Sequence, residues 1–344
     1  MIRRILRKAP RRRAEGAIRI PVSPTGSGIP FDMFDHERTA DAAANAHKLE
    51  RLYHKGQKLA WNGKEVLAEL VERHGGIDLT GPEREAIRAV FAVILWGELA
   101  AWKVSTDLAT HLHDLEAKMA ATSQAHDEAR HFYVMHDYLE LLGELPKSVG
   151  PATRDVLEGV LQADTLAKKL LGMQMMIEPM ALTLFQVVRE RRYDPVLADL
   201  LVFYERDEAR HVALGILHLP AMLDAMTAPQ AADLWAWQMR QYFAQFKMLH
   251  ELKEHFAVLG VHPRDVLELG REKQILAAKL LMEELGYNLP IVELFRAYTD
   301  FRAEIEFPRD GESRRKRDRL RRAVRAVWSK GIGDVEGPLS TVAA

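Results

Sequence analysis

One motif occurs twice in this chain, and its repetition constrains the fold more than any other feature. The five residues Asp127–His131, DEARH, return as Asp207–His211, 80 positions later. A glutamate also lies 30 positions before each motif glutamate, Glu98 in the first copy and Glu178 in the second. Because residues three apart share one face of a helix, each Glu-x-x-His pair can direct both side chains to one point. Six positions in register predict a duplicated unit rather than two unrelated surface ion-pair clusters.

The interval of 30 residues places each lone glutamate on the helix before its motif, in an antiparallel hairpin. If the two glutamates of a hairpin lie level, the turns fall midway, near residues 113 and 193. Tyr193-Asp194-Pro195 provides a proline break at the second turn. The first turn, at His113-Asp114, contains neither glycine nor proline and is less clearly marked.

The rest of the sequence is typical of helices. Long stretches rich in Ala, Leu, Glu, Lys and Arg favour helix, and alternating strand patterns are absent. We expect an all-α fold, a four-helix bundle with additional flanking helices. The predicted helices span 38–60, 83–112, 115–142, 151–191, 195–226, 229–258, 263–286 and 290–305.

Three regions follow from these boundaries. Residues 1–37 are expected to form an irregular basic lead-in, and 309–344 a basic extension. Residues 38–308 would form the helical domain, with the two motif hairpins at 83–142 and 151–226.

The residue types restrict any metal to nitrogen and oxygen ligands. These 344 residues contain no cysteine, which excludes thiolate sites, iron–sulfur clusters and disulfides among them. Glu and Glu-x-x-His contributed twice form the constellation of di-iron and di-manganese carboxylate bundles. Oxygen-rich ligation with one histidine per ion suits iron or manganese better than structural zinc. The predicted metal ligands are Glu98, Glu128, His131, Glu178, Glu208 and His211.

An aspartate and an arginine accompany each motif, Asp127 with Arg130 and Asp207 with Arg210. Metal-bound histidines usually donate their second N–H to a carboxylate, so each aspartate could orient a ligand histidine across the bundle. The alternative is a pair of exposed ion pairs, which would contribute little. The sequence leaves both interpretations open.

The two hairpins resemble the ferritin-like di-iron carboxylate proteins, and in particular their oxygen-activating branch. The resemblance covers about residues 83–226. The doubled D-E-x-R-H motif is similar to that of bacterial multicomponent monooxygenases and acyl-CoA ring-epoxidising oxygenases. The spacing E-(28 residues)-D-E-x-x-H is similar to the p-aminobenzoate N-oxygenase family. The resemblance implies a ferritin-like bundle and two iron ions, or a Mn/Fe pair, with catalysis at Glu98, Glu128, Glu178 and Glu208.

Two positions depart from related patterns. The N-oxygenases have an extra ligand histidine where this chain has Tyr204, and the ribonucleotide reductase small subunit has a radical tyrosine where it has Met135. The second departure disfavours a nucleotide-reducing role. Tyr204 is expected to be either a hydrogen-bonding or redox-active phenol near the metals, or an interior tyrosine paired with some neighbour.

The resulting functional hypothesis is a di-iron, O₂-activating oxygenase or oxidase that mono-oxygenates a small, mostly apolar organic substrate, by hydroxylation or N-oxygenation. No flavin or nicotinamide fingerprint is present, so electrons would come from a separate reductase or ferredoxin. The alternatives are a ferroxidase or iron-handling protein, and a non-catalytic Mn/Fe redox scaffold.

The residues around the two lone glutamates are mostly apolar, and they predict either a substrate pocket or, equally, a plain core. They are Ile94, Leu95, Ala101, Trp102, Met173, Met175, Met176, Met180, Leu182 and Phe185.

Charge and hydropathy complete the expectations. The net charge is −1 and no 18-residue apolar run is present, so we expect a cytoplasmic protein without a membrane span and without nucleic acid as partner. A homodimer is compatible with these features. Residues 3–13 and 314–325 are strongly basic, and they could be docking patches for an anionic partner or membrane, or solvated termini. His126, His136 and His218 lack partners at ligand spacing and are interpreted as ordinary polar positions.

Overall fold

The computed structural model describes residues 35–44, 48–285, 291–309 and 311–329. Within these ranges the chain is helical and forms no β-strand. The helices are α1 His36–Ala44, α2 Lys48–Leu59, α3 Gly63–His74, α4 Gly81–His111, α5 Leu115–Leu142, α6 Pro151–Leu161, α7 Leu166–Gly172, α8 Glu178–Arg191, α9 Pro195–Asp224, α10 Ala228–Val258, α11 Pro263–Leu285, α12 Ile291–Glu306 and α13 Lys316–Ser329. A π-helical turn, Met173–Ile177, joins α7 to α8.

The two motif hairpins form the centre of the fold, as predicted. Helices α4 and α5 pair through a turn capped by Asp114, and α8 and α9 pair through a turn capped by Asp194. In both turns the aspartate side chain accepts hydrogen bonds from two backbone N–H groups of the next helix, which otherwise lack partners. The predicted fold class, an all-α four-helix bundle with additional flanking helices, is confirmed in the described part of the chain.

The apolar core of the bundle is divided into two halves by the motif residues. On α4, Leu95 belongs to one buried cluster and Ala100 to the other, with Glu98 between them. On α9, Tyr204 and Val212 divide in the same way around the second motif. The carboxylates therefore lie in the middle of a long apolar bundle, far from either end.

The helix predictions were wrong in two places, and a third can be compared with the structure only in part. The span 38–60 contains α1 and α2, with residues 45–47 outside the described part of the chain. The span 151–191 is broken at residues 162–165, where the Thr165 side chain caps a new helix. Helix α3 was not predicted: Asn62 caps its start, and Gly75, with a positive φ of 73°, ends it. The starts of α3 and α7 depend on capping side chains within runs of good helix formers, which composition does not reveal.

The structure describes more of the C-terminal region than of the N-terminal region. The lead-in expected at 1–37 lies almost entirely outside the described residues, which begin at Asp35. The expected extension at 309–344 contains α13, which packs against α12.

One described segment, Leu166–Arg191, is long and apolar enough to cross a membrane by length and composition. Of its most apolar stretch of 18 residues, 78% is buried inside the protein.

Candidate metal centre

The bundle brings the six predicted ligands together. Glu98 lies on α4, Glu178 at the start of α8, and the two Glu-x-x-His pairs on α5 and α9. All six side chains are buried. The π-helical turn places one wider turn directly before Glu178, as often occurs at functional positions in helices.

The ligand atoms form two overlapping groups, each with all atoms within 4.8 Å of one another. The first group contains Glu98 and His131, and the second contains Glu178 and His211. Glu128 and Glu208 belong to both groups. Two shared carboxylates between two four-ligand groups are the arrangement expected of a dinuclear centre rather than of two separate sites.

Several of these atoms lack the partners that buried polar atoms normally have. Within the described residues, Oε2 of Glu128, Nδ1 of His131 and Oε1 of Glu208 are buried without a hydrogen bond. Nδ1 of His131 lies 3.1 Å from Oε1 of Glu208, but not in hydrogen-bonding geometry. An unpaired buried polar atom is unfavourable, and a cation would satisfy all three at once. The donor set therefore fits a hard or borderline cation such as iron or manganese.

The electrostatics of the cluster agree with this interpretation. Burial raises the pKa of Glu98 and of Glu178 well above the ordinary glutamate value. Burial opposes ionisation of Glu128 and Glu208 as well, but the charge of His211 contributes to lowering the pKa of both. Without a cation, protons on the histidines and the lone glutamates balance the buried charge; a pair of divalent ions would balance four ionised carboxylates instead.

Each motif aspartate pairs with the histidine of the other motif. Nε2 of His131 lies 3.2 Å from Oδ2 of Asp207, and Nε2 of His211 lies 3.4 Å from Oδ2 of Asp127. Donation through Nε2 leaves Nδ1 of each ring directed at the carboxylate cluster, where a metal ligand would be required. Of the two interpretations left open by the sequence, the structure shows the pairing across the bundle.

Arg210 is buried and the Arg130 side chain is only 8% exposed, which excludes the exposed ion-pair alternative. Arg210 bridges the two aspartates, with 2.9 Å to Asp207 and 2.7 Å to Asp127. Arg130 also donates to Asp207, at 2.9 Å. Burial alone would raise the pKa of Asp127, but the hydrogen bond from His211 and the charge of Arg210 lower it to about 2. Both aspartates are therefore anionic orienting groups in a closed network.

We expect replacement of Asp207 with Asn to weaken metal binding about 10- to 100-fold, the usual effect of removing a carboxylate behind a ligand histidine. With an amide at position 207, an N–H group would face the N–H groups of Arg130, His131 and Arg210, which the Asp207 carboxylate now accepts. Titration with Fe(II) under anaerobic conditions measures the change. Asp199 is the matched control, because it accepts from His74 at 2.8 Å near the surface, away from the cluster. Equal loss in Asp207→Asn and Asp199→Asn would contradict this role.

Two aromatic residues pack around His131. Trp61, just before α3, donates its indole N–H to Asp207 at 2.7 Å. The Tyr204 ring stacks on the His131 ring with centroids 4.2 Å apart, and its hydroxyl donates to the His131 carbonyl at 2.6 Å. Tyr204 is therefore an interior tyrosine paired with a neighbour, and that neighbour is a predicted ligand. Trp61 was missed by the sequence analysis, because 146 residues separate it from Asp207.

Two buried glutamines lie beside the carboxylates of the second group, and one of them donates to these carboxylates. Gln124 donates to Glu128 at 3.0 Å and to Glu178 at 3.2 Å, and it accepts from Gln174 at 3.0 Å. Both glutamines lie four residues before a predicted ligand, so the helical repeat places them on the ligand face. That spacing was available in the sequence but was not used.

The other histidines differ from one another. His136 was interpreted as lacking partners at ligand spacing, and this was wrong: it forms a third possible metal group with Asp137 and Glu140. The three lie one and four positions apart on the outer face of α5 and are partly or fully exposed. His126 is also exposed, whereas His218 is buried. Neither belongs to the buried cluster.

A cavity of about 50 Å³ adjoins the carboxylates, between α4, α6, α8 and α10. Glu98 and Glu178 form part of its wall, and Thr153 and Gln245 add further polar groups. The remaining lining is apolar; of the residues predicted to form a pocket, Ile94, Ala101 and Met180 contribute. The other predicted residues do not line it: most are buried in the core, and Trp102 is 40% exposed.

The chain resembles known proteins in overall structure. No known family profile matches the chain, and no curated protein matches its sequence. Similar solved structures are variants of R2-like ligand-binding oxidase. Two with a Mn/Fe cofactor, both 19% identical, have TM-scores of 0.45 and 0.47 and cover 76% and 79% of this chain and 92% and 97% of their own. One with an Fe/Fe cofactor, also 19% identical, has a TM-score of 0.46 and covers 79% of this chain and 96% of its own.

Proposed function

We propose that this protein is a dinuclear-metal oxidoreductase that uses O₂ to mono-oxygenate a small, mostly apolar organic substrate. Two iron ions, or one manganese and one iron, would be held by Glu98, Glu128, His131, Glu178, Glu208 and His211. When bound in reduced form, such a metal pair supplies electrons for O₂ activation. The similar structures are named with both kinds of cofactor, and the oxygen-rich ligand set here suits either.

The cavity is the observation that supports an organic substrate. Its lining is mostly apolar, and it touches the metal-binding cluster through the carboxylates of Glu98 and Glu178. Substrate pockets typically combine an apolar wall with a few polar groups that fix orientation, and Thr153 and Gln245 are placed for that task. A protein that only oxidises Fe(II) requires a polar path for the cation and has no need for such a wall.

The chain's own residues have three tasks in this reaction. The apolar wall binds the substrate and excludes water, so that a bound molecule lies against Glu98 and Glu178. Asp127 and Asp207 keep the ligand histidines in one orientation. Gln124 restrains Glu128 and Glu178, which limits how far these carboxylates can move. The electrons come from a separate donor protein, a reductase or a ferredoxin.

The test is to reduce the metal-loaded protein anaerobically and expose it to ¹⁸O₂ with panels of arylamines, aromatic acids, thioester-linked acids and fatty acids. Elemental analysis beforehand should find about two metal ions per chain. Label in one organic product supports mono-oxygenation. Rapid oxidation of many Fe(II) equivalents would instead indicate an iron-handling protein, and oxidation of the bound ions alone would indicate a redox scaffold.

A variant at Gly97 tests the cavity directly. Gly97 lines the cavity, and a β-carbon built there meets no atom within 4 Å. We expect Gly97→Leu to fill this space and lower kcat/KM at least ~10-fold, by the loss of substrate contact. Metal content should remain that of the parent, because the added side chain points into the cavity rather than into the ligand cluster.

The matched control is Gly97→Ala, which adds one methyl group to the same wall. It should reduce activity far less and should stabilise α4 by roughly 1 kcal/mol, since alanine favours helix over glycine. If Gly97→Leu turned over substrate as the parent does, the cavity would not be the substrate site.

A further inference from the structure

Helix α13, Lys316–Ser329, has a charge and hydropathy pattern that the metal centre does not explain. Residues 311–329 contain eight arginines and lysines against only Glu312 and Asp318. The chain as a whole carries a net charge of −1, so this segment is a local concentration of positive charge. Its exposed cations are Arg314, Arg315, Lys316, Arg317, Arg321 and Arg325.

The apolar residues of α13 are distributed opposite to the usual pattern. Among the α13 side chains that the structure describes, through Val327, the apolar ones buried against the protein are small, Ala323 and Ala326. The large aliphatic side chains face solvent, with Leu320 50% exposed, Val324 48% and Val327 37%. A helix held only by its own core would bury the large side chains.

The exposed residues form one continuous face. At ~100° per residue, Leu320, Val324 and Val327 fall within roughly 60° of arc, which makes an aliphatic stripe. Arg317, Arg321 and Arg325 lie next to it along one side of the helix. On the protein side, Arg322 lies 3.5 Å from Glu304 of α12 and 3.4 Å from Glu312, which fixes the orientation of the helix.

We propose that this face of α13 lies on an anionic lipid surface. Helices that lie in a membrane interface combine an apolar stripe with neighbouring cations, as here. Aliphatic side chains enter the acyl boundary while arginine stems reach back to the headgroups, and anionic lipids attract juxtaposed basic residues. Nucleic acid would engage the arginines but gain nothing from the aliphatic stripe. An acidic protein partner would pair with the arginines but would also have to cover the exposed aliphatic stripe. A fluid bilayer adapts to the convex surface of a helix and has both anionic headgroups and an apolar interior, so it is the better match.

The experiment uses the full chain and vesicles of phosphatidylcholine alone or with 30% phosphatidylglycerol, separated by sedimentation. We expect binding to the anionic vesicles, weakening as salt rises, and little binding to phosphatidylcholine alone. Leu320→Ser/Val324→Ser and Arg317→Gln/Arg321→Gln/Arg325→Gln should each weaken binding about tenfold or more. All changed residues are exposed, so the helical circular dichroism should not change.

Matched controls replace equally exposed residues elsewhere. Leu141→Ser/Val202→Ser removes two aliphatic side chains about 50% exposed, and Arg51→Gln/Lys55→Gln/Lys58→Gln removes three exposed cations on α2. Both should bind as the parent does. Binding produced by the cations of residues 3–13 would survive both α13 variants and would overturn the proposal.

Two further results would also overturn it. The first is no binding to anionic vesicles at low salt. The second is binding that the arginine variant loses and the aliphatic variant keeps; a duplex DNA probe behaving identically would then assign the face to nucleic acid. None of these readouts depends on metal loading, so failure here leaves the proposed oxygenase function untouched.

Discussion

A chain with Glu128 or Glu208 replaced by alanine should retain almost no metal, because each of these carboxylates belongs to both ligand groups. Replacing Glu98 or Glu178, which belong to one group each, should leave about one ion per chain. The parent should hold about two. Elemental analysis after iron loading and dialysis distinguishes these three levels, and O₂-dependent turnover should disappear in all four variants.

The control for this series is His136→Ala, which removes a ligand candidate from the exposed third group on α5. It should keep both ions, since the three side chains of that group are partly or fully exposed and none of them belongs to the two buried ligand groups. Circular dichroism of each variant without metal separates loss of ligand from loss of helix. One ion remaining in Glu128→Ala, with none in Glu98→Ala, would mean that the shared carboxylates have been assigned wrongly.

The cluster could be predicted from the sequence because its geometry is set by short-range rules. A separation of three residues fixes Glu128 and His131 on one helical face, whatever the rest of the chain does. The spacing of 30 residues then requires a turn near the midpoint, and Asp114 and Asp194 cap the helices that follow those turns. Tertiary packing had only to bring together two copies of one hairpin.

Contacts from distant segments could not be predicted in this way. Trp61 reaches Asp207 only because the unpredicted helix α3 packs against the bundle. The cavity depends on α6 and α10, whose positions relative to α4 no local pattern encodes. Its outline therefore required the structure.

The repeat also hides an asymmetry that only the contacts explain. Gln124 and Tyr204 occupy equivalent positions, four residues before the motif glutamates, yet Gln124 donates to two carboxylates and Tyr204 donates to a backbone carbonyl. Gln174 precedes Glu178 by four residues, where the equivalent residue before Glu98 is Ile94. One half of the cluster is thus held by amides and the other is surrounded by apolar and aromatic groups. The two ions should experience different environments despite identical ligand types.

The largest effect on folding is expected at Asp194. It caps α9 in the turn between α8 and α9, the second pair of helices that carry predicted metal ligands. Its carboxylate accepts from the backbone N–H groups of Val196 and Leu197 and from the hydroxyl of Tyr138 at 2.8 Å, and all three hydrogen bonds are buried. Alanine at this position would remove the cap, typically worth about 1 kcal/mol, and leave a buried hydroxyl unpaired at a further cost of about 1–3 kcal/mol. We therefore expect Asp194→Ala to lower the free energy of unfolding by roughly 2–4 kcal/mol.

Asp114→Ala provides the matched comparison, because Asp114 caps α5 through the same two backbone bonds in the equivalent turn but is more exposed. Only the cap is lost there, so the decrease should be about 1 kcal/mol. Urea unfolding of the two metal-free variants, followed by circular dichroism, measures both values on the same baseline. Adding Tyr138→Phe to Asp194→Ala should recover part of the loss, since the unpaired hydroxyl is then gone. Equal destabilisation at the two caps, with no recovery in the double variant, would show that the buried Tyr138–Asp194 bond contributes nothing to the second hairpin.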